Sequence, residues 1–205
     1  MNLKERFFHN CLLFTKDENL AESLWLEIEK KYSEKKRHYH NLVHLENMFA
    51  ELDAVKDKIS DFTDISFSVF YHDVIYEASS RSNEEESAGL AEKRLQKLNM
   101  GRDSVIRIFQ QIIATKTHQR SDDEDTNYLL DADLSILGKE TTVYFDYTKK
   151  IRKEYSIYPD IFYKPGRKKV LRHFLQLESI FKTDHFKARY EEQARENIRL
   201  ELASL

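Results

Sequence analysis

Four short segments carry the residue types that hold divalent metals: Tyr39-His40-Asn41-Leu42-Val43-His44, His72-Asp73, Lys116-Thr117-His118 and Asp131-Ala132-Asp133-Leu134. Imidazole nitrogen and carboxylate oxygen are donors for hard and borderline divalent ions. Each segment follows or lies within an apolar-periodic stretch, in the chain order His, His-Asp, Asp. That order points to a metal centre assembled from several helices. Hydrolysis is the chemistry such a centre supports most directly.

The spacing narrows the choices. His40 and His44 lie four apart, which on a helix puts both imidazoles on one face, about 5–6 Å apart at Cβ. Zinc proteases use the same spacing, but there a Glu follows the first His as base. Here Asn41 follows, which excludes that class. His72-Asp73 sits in the apolar run 67–76, where two ionisable neighbours are costly unless paired or metal-bound. Asp133 sits in a second such run, 129–137. A buried His72–Asp133 pair would satisfy two of these groups. A dyad, an isolated carboxylate and a His pair together exceed what one such pair requires. Cys11 is the only cysteine, so neither a disulfide within the chain nor a multi-thiolate zinc site can form. A lone thiol fits a reducing compartment.

The pattern His44…His72-Asp73…Asp133 resembles the signature of the HD superfamily of metal-dependent phosphohydrolases. Segment 39–44 resembles the Tyr-His-Asn-x-x-His motif of class I cyclic-nucleotide phosphodiesterases, and Asp133 in Ala132-Asp133-Leu134-Ser135 resembles their last metal-ligand Asp. More broadly, the chain is similar to bacterial HD phosphohydrolases of about this length over most of residues 36–202. Shared stretches include His72-Asp73-Val74-Ile75-Tyr76, Asn83-Glu84-Glu85-Glu86-Ser87-Ala88, Ile151-Arg152-Lys153-Glu154-Tyr155 and Ala194-Arg195-Glu196-Asn197.

That resemblance implies metal ligation by His44, His72, Asp73 and Asp133, with one or two ions of Mn, Co, Ni, Fe, Zn or Mg. Asp73 would bridge to a second ion. His40 would protonate the leaving oxygen or orient a ligand ring. Glu77 is the candidate catalytic acid, although Tyr76 occupies the position where that acid often sits. Arg37, Lys116 and His118 are candidate phosphate contacts, and His118 is also a candidate ligand of a second ion. The implied activity is hydrolysis of a phosphate ester of a small molecule, a nucleotide first. Two alternatives stand beside it: a regulatory HD domain that binds nucleotide or metal, and a di-iron oxygenase of the HD type. Arg152, Glu154 and Tyr155 fit an ion-pair network between helices.

The elements that must position these residues are helical. Only four Gly and two Pro punctuate 205 residues, too few for the regular turns of a sandwich or barrel. Leu45, Phe49, Leu52, Val55 and Ile59 follow the rhythm of one helix face, as do Val105, Ile106, Phe109, Ile112 and Ile113. Ser82-Asn83-Glu84-Glu85 reads as a capping box. Asp61, Asp103 and Asp184 stand where N-caps would, and the run 122–125 reads as a solvated helix start. The expectation is an all-α, single-domain bundle of roughly nine helices over residues 1–205, its core about 36–140.

Charge and hydropathy set the surroundings. Lys and Arg number 33 against 36 Asp and Glu, a net charge of -3, so no overall positive excess draws the chain toward a polyanion. The first ten residues do not read as a secretory signal, and no apolar run approaches membrane-spanning length. A cytoplasmic protein is expected, with a small phosphorylated substrate as partner. Neither nucleic acid nor a membrane is expected, and a homodimer is left open.

Overall fold

The apolar rhythms become ten α-helices and two 3-10 turns with no strand, in a computed structural model that describes all 205 residues. The helices are α1 (Leu3–Leu12), α2 (Glu18–Tyr32), α3 (Leu42–Asp53), α4 (Phe62–Tyr71), α5 (Asn83–Lys97), α6 (Arg102–Ala114), α7 (Glu124–Leu134), α8 (Thr141–Glu154), α9 (Asp160–Gln176) and α10 (Asp184–Ser204). The 3-10 turns are Lys56–Lys58 and Ser135–Gly138. No helix is long and apolar enough to cross a membrane.

Helix α4 is the axis of the bundle. Every residue from Asp64 to Tyr71 is buried, because α1, α3, α5, α6 and α7 all pack around it. Phe7 of α1 meets Phe70 of α4 edge-on at 5.1 Å and also packs on Trp25 of α2. Burying one such ring contributes roughly 1.5–3 kcal/mol. The C-terminal end of this immobilised helix delivers His72 and Asp73.

Local capping differs in part from the sequence expectations. Asp61 caps α4, accepting from the amides of Thr63 and Asp64. Ser82 does occupy the N-cap of α5, but it forms no capping box, because its hydroxyl donates to Glu86. A complete box forms instead at Asn2 and Glu5. Asp103 and Asp184 lie inside their helices, behind the N-caps Gly101 and Thr183. The acidic run is not wholly solvated. Asp123 caps α7, while buried Asp125 accepts from the amides of Ser60 and Asp61 and so ties α7 to the start of α4.

The turn after α7 is seated against α10. A Cβ at Gly138 would stand 2.4 Å from the Cβ of Tyr190, so only glycine lets the two backbones approach this closely. This contact fixes the C-terminal end of α7, which carries Asp133.

Candidate metal centre

Three helix ends and two loops converge on one cluster. His44 lies in the first turn of α3, whose N-cap Asn41 accepts from the Val43 amide. His72 is the C-cap of α4 and Asp73 follows it. Asp133 lies in the last turn of α7. His44, His72 and Asp133 each offer one ligand atom, and these atoms all lie within 4.8 Å of one another.

The distances show donor atoms facing inward. His44 Nε2 stands 3.2 Å from His72 Nε2 and 3.1 Å from Asp133 Oδ1. Asp73 Oδ2 lies 3.2 Å from His72 Nε2. The other nitrogen of His72, Nδ1, faces the Val69 carbonyl at 2.9 Å. A carbonyl can only accept, so Nδ1 carries hydrogen, and neutral His72 presents its Nε2 lone pair to the cluster. Two imidazole nitrogens and two carboxylates, with ring nitrogens pointed at each other, suit a borderline divalent cation.

An outer ring of side chains surrounds this set. His118 Nε2 meets Asp133 Oδ2 at 2.8 Å. It does so from a loop beyond α6 with its backbone at φ 51, the left-handed region that non-glycine residues enter at a cost. His40 lies before α3 rather than on it, so the two imidazoles do not share a helix face. Their ring centroids are nevertheless 5.9 Å apart. His40 Nε2 points toward Asp73 Oδ2 at 3.9 Å, and its Nδ1 meets Glu154 Oε2 at 2.7 Å. Glu154, the last residue of α8, also accepts from the amides of Tyr39 and His40 and from the Tyr76 hydroxyl. The Tyr76 ring stacks on His40 at 4.2 Å.

Electrostatics separates the imidazoles. Burial opposes charge on His72, but Asp73 and Asp133 outweigh it and hold the pKa up at about 9. For His44 burial prevails, and its pKa is lowered. Burial also opposes charge on His40, yet Glu154 and Asp73 raise it. Asp133 resists burial through His118 and His44 and stays below its ordinary range. Asp73 does the same through His72 and His40.

Other sequence candidates take different places. Arg37 is buried and its donors go to backbone: Nη1 donates to the carbonyls of Asp73 at 2.6 Å and His40 at 3.3 Å, and Nη2 to that of Val74 at 2.9 Å. Its guanidinium therefore ties the His40 turn to the His72-Asp73 turn. Glu77 is exposed and paired with Lys36. Lys116 is spent on Glu85 and on the carbonyl of Arg81. Of the expected site residues, the structure brings together His40, His44, His72, Asp73, His118 and Asp133. Glu154 joins them, whereas its neighbour Arg152 turns outward to Asp160.

Comparison with protein-family models, curated proteins and solved structures finds no match.

Proposed function

We propose that this protein is a metal-dependent phosphohydrolase that cleaves a phosphate ester of a small molecule, with nucleotides the first class to test. The observation that carries this reading is the convergence of His44, His72 and Asp133, with Asp73 against His72, at the ends of three packed helices. A divalent ion bound there supplies electrophilic stabilisation of phosphoryl oxygens and lowers the pKa of water.

The remaining chemistry belongs to side chains. Glu154 accepts from His40 Nδ1, which fixes the ring and leaves Nε2 facing the cluster. Water adds to phosphorus, the ester P–O bond breaks, and His40 Nε2 gives its proton to the departing oxygen. The proton lost by the attacking water restores His40. His118 holds Asp133 by Oδ2, which leaves Oδ1 toward the cluster and keeps the carboxylate from rotating away. Arg37 keeps the His40 and Asp73 backbones in register.

The test is a hydrolysis panel on metal-stripped protein. It covers nucleoside mono-, di- and triphosphates, cyclic nucleotides, alarmones and sugar phosphates, each with Mn²⁺, Co²⁺, Ni²⁺, Mg²⁺ or Zn²⁺ added. Phosphate release that needs added metal and vanishes in Asp73→Ala is expected. Release that survives chelation or the Asp73→Ala substitution contradicts the reading.

A further inference from the structure

The net charge of the chain conceals a separation of charge within it. Residues 141–176, which span α8, its following turn and α9, hold nine Lys and Arg against three Asp and Glu, a net of +6. The other 169 residues together carry −9. One of the three acids, Glu154, is buried against His40, and one of the nine cations, Arg167, is largely buried against Glu201, so the exposed part of the segment keeps a net of +6. Its Lys and Arg ion pairs are Lys149–Asp146, Arg152–Asp160 and Arg167–Glu201. Six cations have no carboxylate partner: Lys150, Lys153, Lys164, Lys168, Lys169 and Arg172.

Helix α9 is also apolar where a free surface helix should not be. Only Leu171 of its 17 residues is buried, and its packing is chiefly against α10. Ile161 and Phe162, in its first turn, are 75% and 69% exposed. Seven residues make about two helical turns, so Ile161 stands over Lys168 and Phe162 over Lys169, with Arg172 one turn further. The outward face thus presents two large apolar side chains at one end and a basic stretch behind them. Ile157, just before the helix, is 58% exposed and extends the apolar end.

We propose that the α8–α9 segment docks on an anionic lipid bilayer. Lysine and arginine are drawn to anionic headgroups, and Ile161 and Phe162 can enter the boundary between headgroups and acyl chains. The apolar pair distinguishes this from a nucleic-acid surface, because an aliphatic Ile offers no π face for a base to stack on. The docking is independent of what the His–Asp cluster does.

Cosedimentation with vesicles tests it. The full chain is expected to bind vesicles of phosphatidylglycerol and phosphatidylcholine and to leave pure phosphatidylcholine vesicles in solution. Binding should fall at least about tenfold in about 1 M salt, where the screening length is about 3 Å. Lys168→Glu with Lys169→Glu should abolish binding, and Ile161→Ser with Phe162→Ser should weaken it about tenfold or more, with unchanged helicity by circular dichroism. No binding by the wild-type chain overturns the proposal, as does binding that survives the charge reversals. A single-stranded RNA oligonucleotide bound in preference to vesicles, and unaffected by the Ile161 and Phe162 substitutions, assigns the surface to nucleic acid instead.

Discussion

Asp131 and Asp133 are two residues apart on α7, yet their surroundings differ in kind. The Asp131 carboxylate is fully buried and accepts from the amides of Lys182 and Thr183 and from the Thr183 hydroxyl, each within 2.8 Å. It closes the loop that leads into α10, with both of its oxygens engaged by hydrogen bonds. The Asp133 carboxylate meets only imidazoles, those of His44 and His118, and lies beside a third, His72. Backbone amides hold a fixed geometry and carry their hydrogen permanently. Imidazoles can lose theirs and turn a lone pair inward. A buried carboxylate served by amides builds the fold, and one served by imidazoles is equipped to share a cation.

Activity is where the two aspartates should differ most. Asp133→Ala is expected to reduce metal-dependent phosphate release to background while the chain stays folded by circular dichroism. Activity near wild type in that variant would end the distinction. Asp131→Ala should behave in the opposite way. It strands two buried amide donors, each costing about 1–3 kcal/mol, so chemical denaturation should show a stability loss of roughly 2–6 kcal/mol, while the folded fraction keeps wild-type turnover per molecule.

Glu154→Gln sharpens the role of the outer ring. It removes the charge that holds His40 but keeps the side-chain length, and a drop of about 10–100-fold in turnover is expected. A change confined to substrate affinity would make Glu154 a packing residue only. For metal-free protein, His72 should still be protonated at pH 7 and titrate near 9 by nitrogen-15 NMR. Its pKa is raised above the ordinary 6.5, so the stability it draws from Asp73 and Asp133 is complete below about 6.5 and lost as pH climbs through 9. A titration at 6.5 would show that the carboxylates do not reach it. The smallest effect concerns Cys11. Buried and with its pKa pushed up to about 12, it should resist alkylation at about pH 8 until the chain unfolds, because the thiolate is the nucleophile.

The fold was legible because helical periodicity is local and because glycine and proline are scarce. The inner cluster was legible for a related reason: His72, Asp73 and Asp133 interrupt apolar runs, and that cost is visible in a short window. Glu154 gave a weaker signal. It meets His40 across 114 residues of sequence, and its own surroundings read as an ordinary ion-pair network. Arg37 spends its donors on backbone carbonyls, which no sequence pattern displays. Glu77 and Lys116 sit close to the motifs in sequence, but exposed partners on neighbouring elements claim them. His40 reaches the cluster through a turn, because Asn41 caps α3 after it. The positive α8–α9 segment disappeared into a whole-chain charge of -3, since a sum discards position.

Equilibrium Mn²⁺ binding to metal-stripped wild type, Asp133→Ala and Asp131→Ala, compared at one pH and temperature, separates a cation-sharing carboxylate from a structural one. Wild type is expected to bind, Asp133→Ala to lose at least about 100-fold in affinity, and Asp131→Ala to stay within about threefold. Equal affinity in wild type and Asp133→Ala, or no binding by wild type, would contradict a cation-sharing role for Asp133.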